Sequence, residues 1–164
     1  MFAFILIIAI FWILMGDLFN YQEPELEYYN ETEVTVVLDT IIQVDHNSYE
    51  SVLLPGVKDD LINYTITVTK GGPIDYYILE ERKRDTLIDA LEGRTNRFDS
   101  YERGRGKNTT KGSSEFLLIS NQDWYVFINN YGHVQNGARP SSEVFVHIYI
   151  EKIGKKTTVS FSIS

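Results

Sequence analysis

The sequence predicts a mainly β domain: an antiparallel β-sandwich of about eight strands, jelly-roll or immunoglobulin-like, with one short surface helix and an N-terminal hydrophobic helix. Three observations carry this expectation. Ile62, Tyr64, Ile66 and Val68 alternate with Asn63, Thr65, Thr67 and Thr69, the period of a strand with one face in a core and the other in water. Segments rich in Val, Ile, Tyr and Phe recur between turn clusters such as Pro55-Gly56 and Gly71-Gly72-Pro73, where glycine turns freely and proline fixes φ. Apolar residues make up 43% and aromatics 13% of the 164 residues, enough to close one core in a chain of single-domain length.

Phe2 to Met15 is an unbroken apolar run, extended by Leu18 and Phe19. At about 1.5 Å per residue the pure run covers about 21 Å, short of a hydrocarbon core of about 30 Å. No basic residue precedes it, and no small-x-small cleavage site follows, so an uncleaved membrane anchor over residues 1–19 is preferred to a signal peptide that is removed and a protein that is secreted. Residues 20–32 are acidic, polar and rich in Tyr, and read as a spacer. The sandwich domain is expected over residues 33–164.

Within that domain Val34–Val44 and Tyr49–Leu54 are read as the first two strands. The strand from Leu61 and a partner over Ile74–Leu79 follow, joined by Gly71-Gly72-Pro73. Glu80–Glu92 changes character: Leu87, Ile88 and Leu91 recur at three- and four-residue spacing before Gly93, the mark of a short surface helix. Arg94–Gly112 is polar and Gly-rich and reads as a long excursion, with Phe98 and Tyr101 anchored inward. Phe116–Ile119 and Trp124–Ile128 are predicted to form a hairpin through Ser120-Asn121-Gln122-Asp123. Val144, Val146, Ile148 and Ile150 alternate with Phe145, His147 and Tyr149, and Val159, Phe161 and Ile163 alternate with Thr158, Ser160 and Ser162, which gives two further strands.

The formal net charge is −8, and no Lys or Arg occurs before Lys58. An acidic first third argues against nucleic acid as a partner, because phosphate binding needs a basic footprint. Cysteine is absent, which excludes disulfides, thiolate metal sites and cysteine nucleophiles. Asn30, Asn63 and Asn108 each open an Asn-x-Thr sequon, the acceptor pattern for N-glycosylation in exported chains.

Ile66–Leu79, Gly112–Phe116 and Trp124–Asn130 together resemble the GOLD (emp24/p24-like) β-sandwich, and are similar also to prokaryotic extracellular sandwich domains of the pre-peptidase C-terminal type. The shared pattern is a strand, a Gly-rich turn, an Asp opening the next strand, an irregular charged insert, and a hairpin ending in an Asn. The resemblance implies a non-catalytic binding module outside the cytoplasm. The paired cysteines, coiled coil and C-terminal span of the eukaryotic members have no counterpart here, so cargo sorting is not implied.

No arrangement of residues points to an enzyme. Asp59, Asp60 and Asp75 offer oxygens but no calcium loop. His46, His133 and His147 lack metal-ligand spacing, and there is no nucleophile elbow or phosphate loop. No metal or cofactor is expected. The candidate ligand-binding surface is the basic and aromatic stretch Arg94, Arg97, Phe98, Tyr101, Arg103, Arg105, Lys107 and Lys111, suited to an acidic glycan, a lipid headgroup or an acidic protein. The expected function is a membrane-tethered, extracytoplasmic interaction module binding a protein, glycan or lipid. The alternative is a homo-oligomeric subunit of a filament or envelope lattice, packed through its N-terminal helix.

Overall fold

A computed structural model describes residues 25–132, 137–139 and 141–162. The hydrophobic segment 1–19 and His133 lie outside the described residues. Eight strands form two antiparallel four-stranded sheets. In chain order they are β1 (Glu25–Val44), β2 (Tyr49–Leu54), β3 (Leu61–Lys70), β4 (Ile74–Glu80), β5 (Arg105–Thr109), β6 (Lys111–Leu117), β7 (Trp124–Asn129) and β8 (Val144–Ser162); among the described residues the one α-helix, α1 (Arg84–Leu91), lies between β4 and β5. The strand orders are β1-β8-β3-β6 and β2-β7-β4-β5. Pairs β1 with β8, β2 with β7, β3 with β6 and β4 with β5 are the nested pairs of one long hairpin rolled on itself, the jelly-roll arrangement.

The chain divides into two compact units. Thr32–Gly154 holds both layers and the core. The second comprises Met1–Glu31 and Lys155–Ser164, and its described residues are all strand.

The core follows from alternation. Ile62, Tyr64 and Ile66 of β3, Val144, Val146, Ile148 and Ile150 of β8, and Phe116 of β6 meet Ile74, Tyr76 and Ile78 of β4 and Trp124, Val126 and Ile128 of β7, all buried. A second cluster lies on the outside of the second sheet, where Leu87 and Leu91 of α1 cover Tyr77, Leu79 and Phe127. The helix stops at Gly93, whose φ of +77° suits the left-handed position after a helix end.

Two expected connections differ. β3 and β4 are not partners: Gly71-Gly72-Pro73 carries the chain from one sheet to the other. The reason lies in β4, which is buried at all seven positions and therefore needs a sheet covered on both sides. Gly71 has a φ of +99°, and a Cβ there would stand 2.6 Å from the Glu143 carbonyl oxygen, so the crossover needs glycine for two reasons. Ser120–Asp123 likewise links two sheets rather than closing a hairpin. Leu118 is drawn into the core, and its backbone pairs with the β2–β3 connection through Asp59 N–H to Leu118 O at 2.8 Å and Leu118 N–H to Asp60 O at 3.0 Å.

The Gly-rich excursion is partly strand. β5 and the first two residues of β6 lie within it because Gly106 and Gly112 let the backbone close on the Tyr76 ring, where any Cβ would overlap the side chain. Strand also replaces two expected breaks. β1 begins at Glu25, inside the stretch read as spacer, and β8 continues unbroken to Ser162. β1 and β8 are sheet neighbours, and their ladder supplies the hydrogen bonds that a polar spacer would leave to water.

Candidate functional site

The buried polar residues are structural. Asp75 is fully buried; its Oδ1 accepts N–H groups from Asn108 and Ala138, both at 2.8 Å, and its Oδ2 accepts the Asn129 side-chain amide at 3.3 Å. Asn130 donates to the carbonyls of Val44, Asp45 and Ser142 at 3.4, 3.0 and 2.8 Å. Together the two side chains clasp the β1–β2, β5–β6 and β7–β8 connections at one end of the sandwich. With three donors aimed at it, Asp75 is a hydrogen-bond acceptor rather than a cation ligand. Asp60 is engaged elsewhere, by the Val57 N–H at 2.9 Å and the Lys152 ammonium at 3.7 Å.

At the opposite end Glu80, also fully buried, accepts the Arg82 Nε–H at 2.6 Å and the Tyr101 hydroxyl at 3.0 Å. Burial pushes its carboxyl up; the nearby Ser120 hydroxyl and the hydrogen bonds from Arg82 and Tyr101 together outweigh that and hold it below the usual carboxylate range.

The basic stretch is distributed over several places. Arg94 closes the end of α1, with its guanidinium on Asp89 at 2.6 Å and on Glu92. Phe98 packs edge-on to Tyr77 at 5.0 Å. Tyr101 packs against Phe116 and Trp124, both at 5.4 Å, beneath the Lys83 ammonium. Arg97 and Arg103 are exposed, and the Arg103 carbonyl accepts the buried Tyr64 hydroxyl at 2.5 Å. Because Gly106 faces the core, Arg105 and Lys107 point to the outer side of the second sheet, with Arg105 on Ser100 Oγ at 3.2 Å. Lys111 is on the outer side of the first sheet.

That outer side is a surface which residue-by-residue reading did not single out. Backbone register sets three rows across β8, β3 and β6: His147–Thr67–Lys111, Tyr149–Thr65–Ser113 and Glu151–Asn63–Glu115. Their side chains are half-buried or exposed. The Tyr149 hydroxyl donates to Glu151 Oε1 at 2.6 Å, which together with burial and the charges of Glu151 and Asp39 raises its pKa. His147 Nε2 lies 2.7 Å from Asp39 Oδ1 of β1, and the Lys70 ammonium sits 4.8 Å from the centre of the Phe145 ring. With strands about 4.8 Å apart and alternate residues about 6.8 Å apart, the four-stranded face measures about 14 Å each way. Its signal in the sequence is the outward parity of β8, which carries Phe145, His147 and Tyr149 opposite an aliphatic core parity.

The sequons are placed differently from one another. Asn63 is half-buried in the middle of β3, Asn108 is exposed at the end of β5, and Asn30 lies in β1.

No family model and no curated protein matches the chain, so the GOLD resemblance has no family match behind it. Among solved structures 13 chains match. One is a low-affinity xylan-binding module from the gut symbiont Roseburia intestinalis, 9% identical, with a TM-score of 0.35, covering 79% of this chain and 96% of that one.

Proposed function

We propose that the chain is a membrane-tethered, extracytoplasmic interaction module that binds a glycan without transforming it, through the outer face of the sheet β1-β8-β3-β6. The observation that carries this reading is the set of three rows described above. Tyr149, His147 and Phe145 offer ring surfaces for the C–H faces of sugars. Asn63, Thr65, Thr67 and Ser113 beside them offer amide and hydroxyl groups, and Glu151, Glu115 and Asp39 offer charged acceptors for sugar hydroxyls. The apolar start of the chain and its sequons support the tether and the location, as does the implied role of GOLD-like domains. The exposed cations Arg97, Arg103, Arg105 and Lys107 lie off this face, and Lys111 closes its first row, so an anionic group on the glycan would be met there.

The test is a glycan array followed by calorimetry on the full chain in detergent. Tyr149→Ala is expected to weaken binding at least tenfold while leaving the melting temperature within about 2 °C, as for a surface change. Background binding across the array, or a variant that binds as tightly as the parent, refutes the reading.

A second reading, a subunit of a filament or envelope lattice packed through its N-terminal helix, is favoured by β1. It is an edge strand of 20 residues with Val34, Val36 and Ile41 exposed at 54%, 51% and 61%, and long apolar edges recruit further strands. Large regular assemblies on sedimentation of detergent-extracted protein would favour it; small species would exclude it.

A further inference from the structure

We infer that Asn108-Thr109-Thr110 accepts an N-linked glycan and that Asn63-Tyr64-Thr65 stays bare. The inference rests on the extracytoplasmic part of the reading above and is independent of what the sheet face binds.

A sequon is modified when its asparagine and the hydroxyl residue two positions on can be presented together in a transferase site, which requires the backbone between them to be accessible. Asn63 fails this requirement in the folded chain. It occupies the middle of β3, between Glu115 of β6 and Glu151 of β8, and the next residue, Tyr64, is buried in the core with its hydroxyl on the Arg103 carbonyl. Presenting Asn63 would mean stripping β3 from both neighbours and withdrawing Tyr64 from the core.

Asn108 meets it. β5 has five residues and is the edge strand of its sheet, bound only to β4, and its register with β4 is already broken between Ile74 and Tyr76. Asn108 and Thr110 are both exposed, and Thr110 is the single residue between β5 and β6. The φ of Asn108 is +49°, a left-handed conformation that asparagine tolerates better than most residues. The Asp75 carboxylate fixes this corner by accepting the Asn108 backbone N–H at 2.8 Å, so the clasp holds the backbone while the side chain stands in solvent.

In the modification the Asn108 amide nitrogen forms a bond to the anomeric carbon of an oligosaccharide carried as a lipid-linked phosphate ester. The phosphate leaves with the electron pair of the bond that breaks, and the amide gives up one proton. The sugar then stands at the corner between the sheets, beside Lys107 and Lys111 in sequence, and the Asn63 position in the third row of the open face remains uncovered.

The experiment is intact-mass and glycopeptide mass spectrometry of the full chain taken from the membranes of cells that naturally make it, compared with Asn63→Gln and Thr110→Ala. The second variant destroys the sequon but keeps Asn108 in its left-handed position, so loss of sugar is not confused with loss of fold. The expected result is an intact mass above the 19.0 kDa of the polypeptide, with the added glycan mapped to Asn108, unchanged in Asn63→Gln and absent from that site in Thr110→Ala. A glycan on Asn63, or one on Asn108 that survives Thr110→Ala, overturns the inference. So does a chain without sugar at Asn108 that added protease digests on intact cells. A bare chain that intact cells shield from protease overturns the extracytoplasmic reading along with it.

Discussion

Replacing Asp75 by Ala removes the acceptor for three donors that reach it from separate parts of the chain. The Ala138 N–H is buried, and leaving such a donor unpaired costs about 1–3 kcal/mol. The Asn108 N–H and the Asn129 amide are less deeply enclosed or have a second partner, the latter reaching the Tyr131 carbonyl at 3.3 Å, so each bond lost there is worth about 0.5–1.5 kcal/mol. The sum for Asp75→Ala is about 2–6 kcal/mol, a fall in melting temperature of about 5–20 °C for a domain of this size. Asp75→Asn is the informative companion. Its amide oxygen still accepts the two backbone N–H groups, but its NH2 then faces the Asn129 NH2 across the 3.3 Å contact, a donor against a donor, for a loss of about 1–2 kcal/mol. Urea unfolding in detergent, followed by the fluorescence of Trp124, which is fully buried, measures both. Hydrogen exchange at the Ala138 and Asn108 amides should accelerate more in the Ala variant than at the β3–β8 ladder, because the clasp holds only its own end of the sandwich. An Asp75→Ala protein within about 0.5 kcal/mol of the parent, or one whose two amides exchange no faster, refutes the structural role assigned to this carboxylate.

Glu80 sets an acid-side dependence. Its folded pKa is depressed, so its contribution is present above the unfolded value of about 4.3 and is lost as pH falls through the folded one. Glu80→Gln should melt below the parent at pH 7, by the equivalent of about 1–2 kcal/mol given that Arg82 is largely solvated, and the gap should close toward pH 3; a gap that is constant with pH contradicts the assignment. Replacing Arg103, Arg105 and Lys107 together by Ser should leave stability within about 1 kcal/mol, since these side chains are exposed and the bond from Tyr64 goes to the Arg103 backbone. A triple variant that fails to fold would make this corner structural and end its candidacy as a surface for an anionic partner.

The layers were legible in the sequence because burial leaves a period. β3 and the first half of β8 stand where alternation puts them, β4 and β7 where apolar runs between turn residues put them, and α1 stands where Leu87 and Leu91 recur at helical spacing. Which strand pairs with which was not legible, because Gly71-Gly72-Pro73 and Ser120–Asp123 carry the same turn chemistry whether the chain folds back in one sheet or crosses to the other. The apolar outer parity of β4 was the available clue, since Tyr77 and Leu79 opposite Tyr76 and Ile78 require cover on both sides. Glycine misled in the opposite direction: Gly106 and Gly112 read as loop, yet they are the price of bringing backbone against the Tyr76 ring. Asp75 read as an ordinary strand-opening acid because its partners are 33, 54 and 63 residues away in the chain, beyond any local pattern. The three rows on the open face depend on register, which a single sequence does not supply.

The two outer faces show how the chain divides its work. Rolling one hairpin into two layers gives two outward surfaces, and the chain covers one of them with its longest connection, which leaves from β4 and lays α1 and Phe98 over Tyr77, Leu79 and Phe127. On the other sheet the outward parity of β3 is Asn63, Thr65 and Thr67, and that of β6 is Lys111, Ser113 and Glu115, residues that need no cover. Solubility alone would be served by more of the same on β8. Instead β8 places Phe145, His147 and Tyr149 at half-buried positions beside them, and two of the three meet charges on the neighbouring strands, His147 on Asp39 of β1 and Phe145 on Lys70 of β3. Rings kept at a solvent face and fixed there by neighbouring charges lose little further freedom when something lies across them. That economy on the open sheet is the physical reason to test it for a ligand before the dispersed cations of the β5–β6 corner.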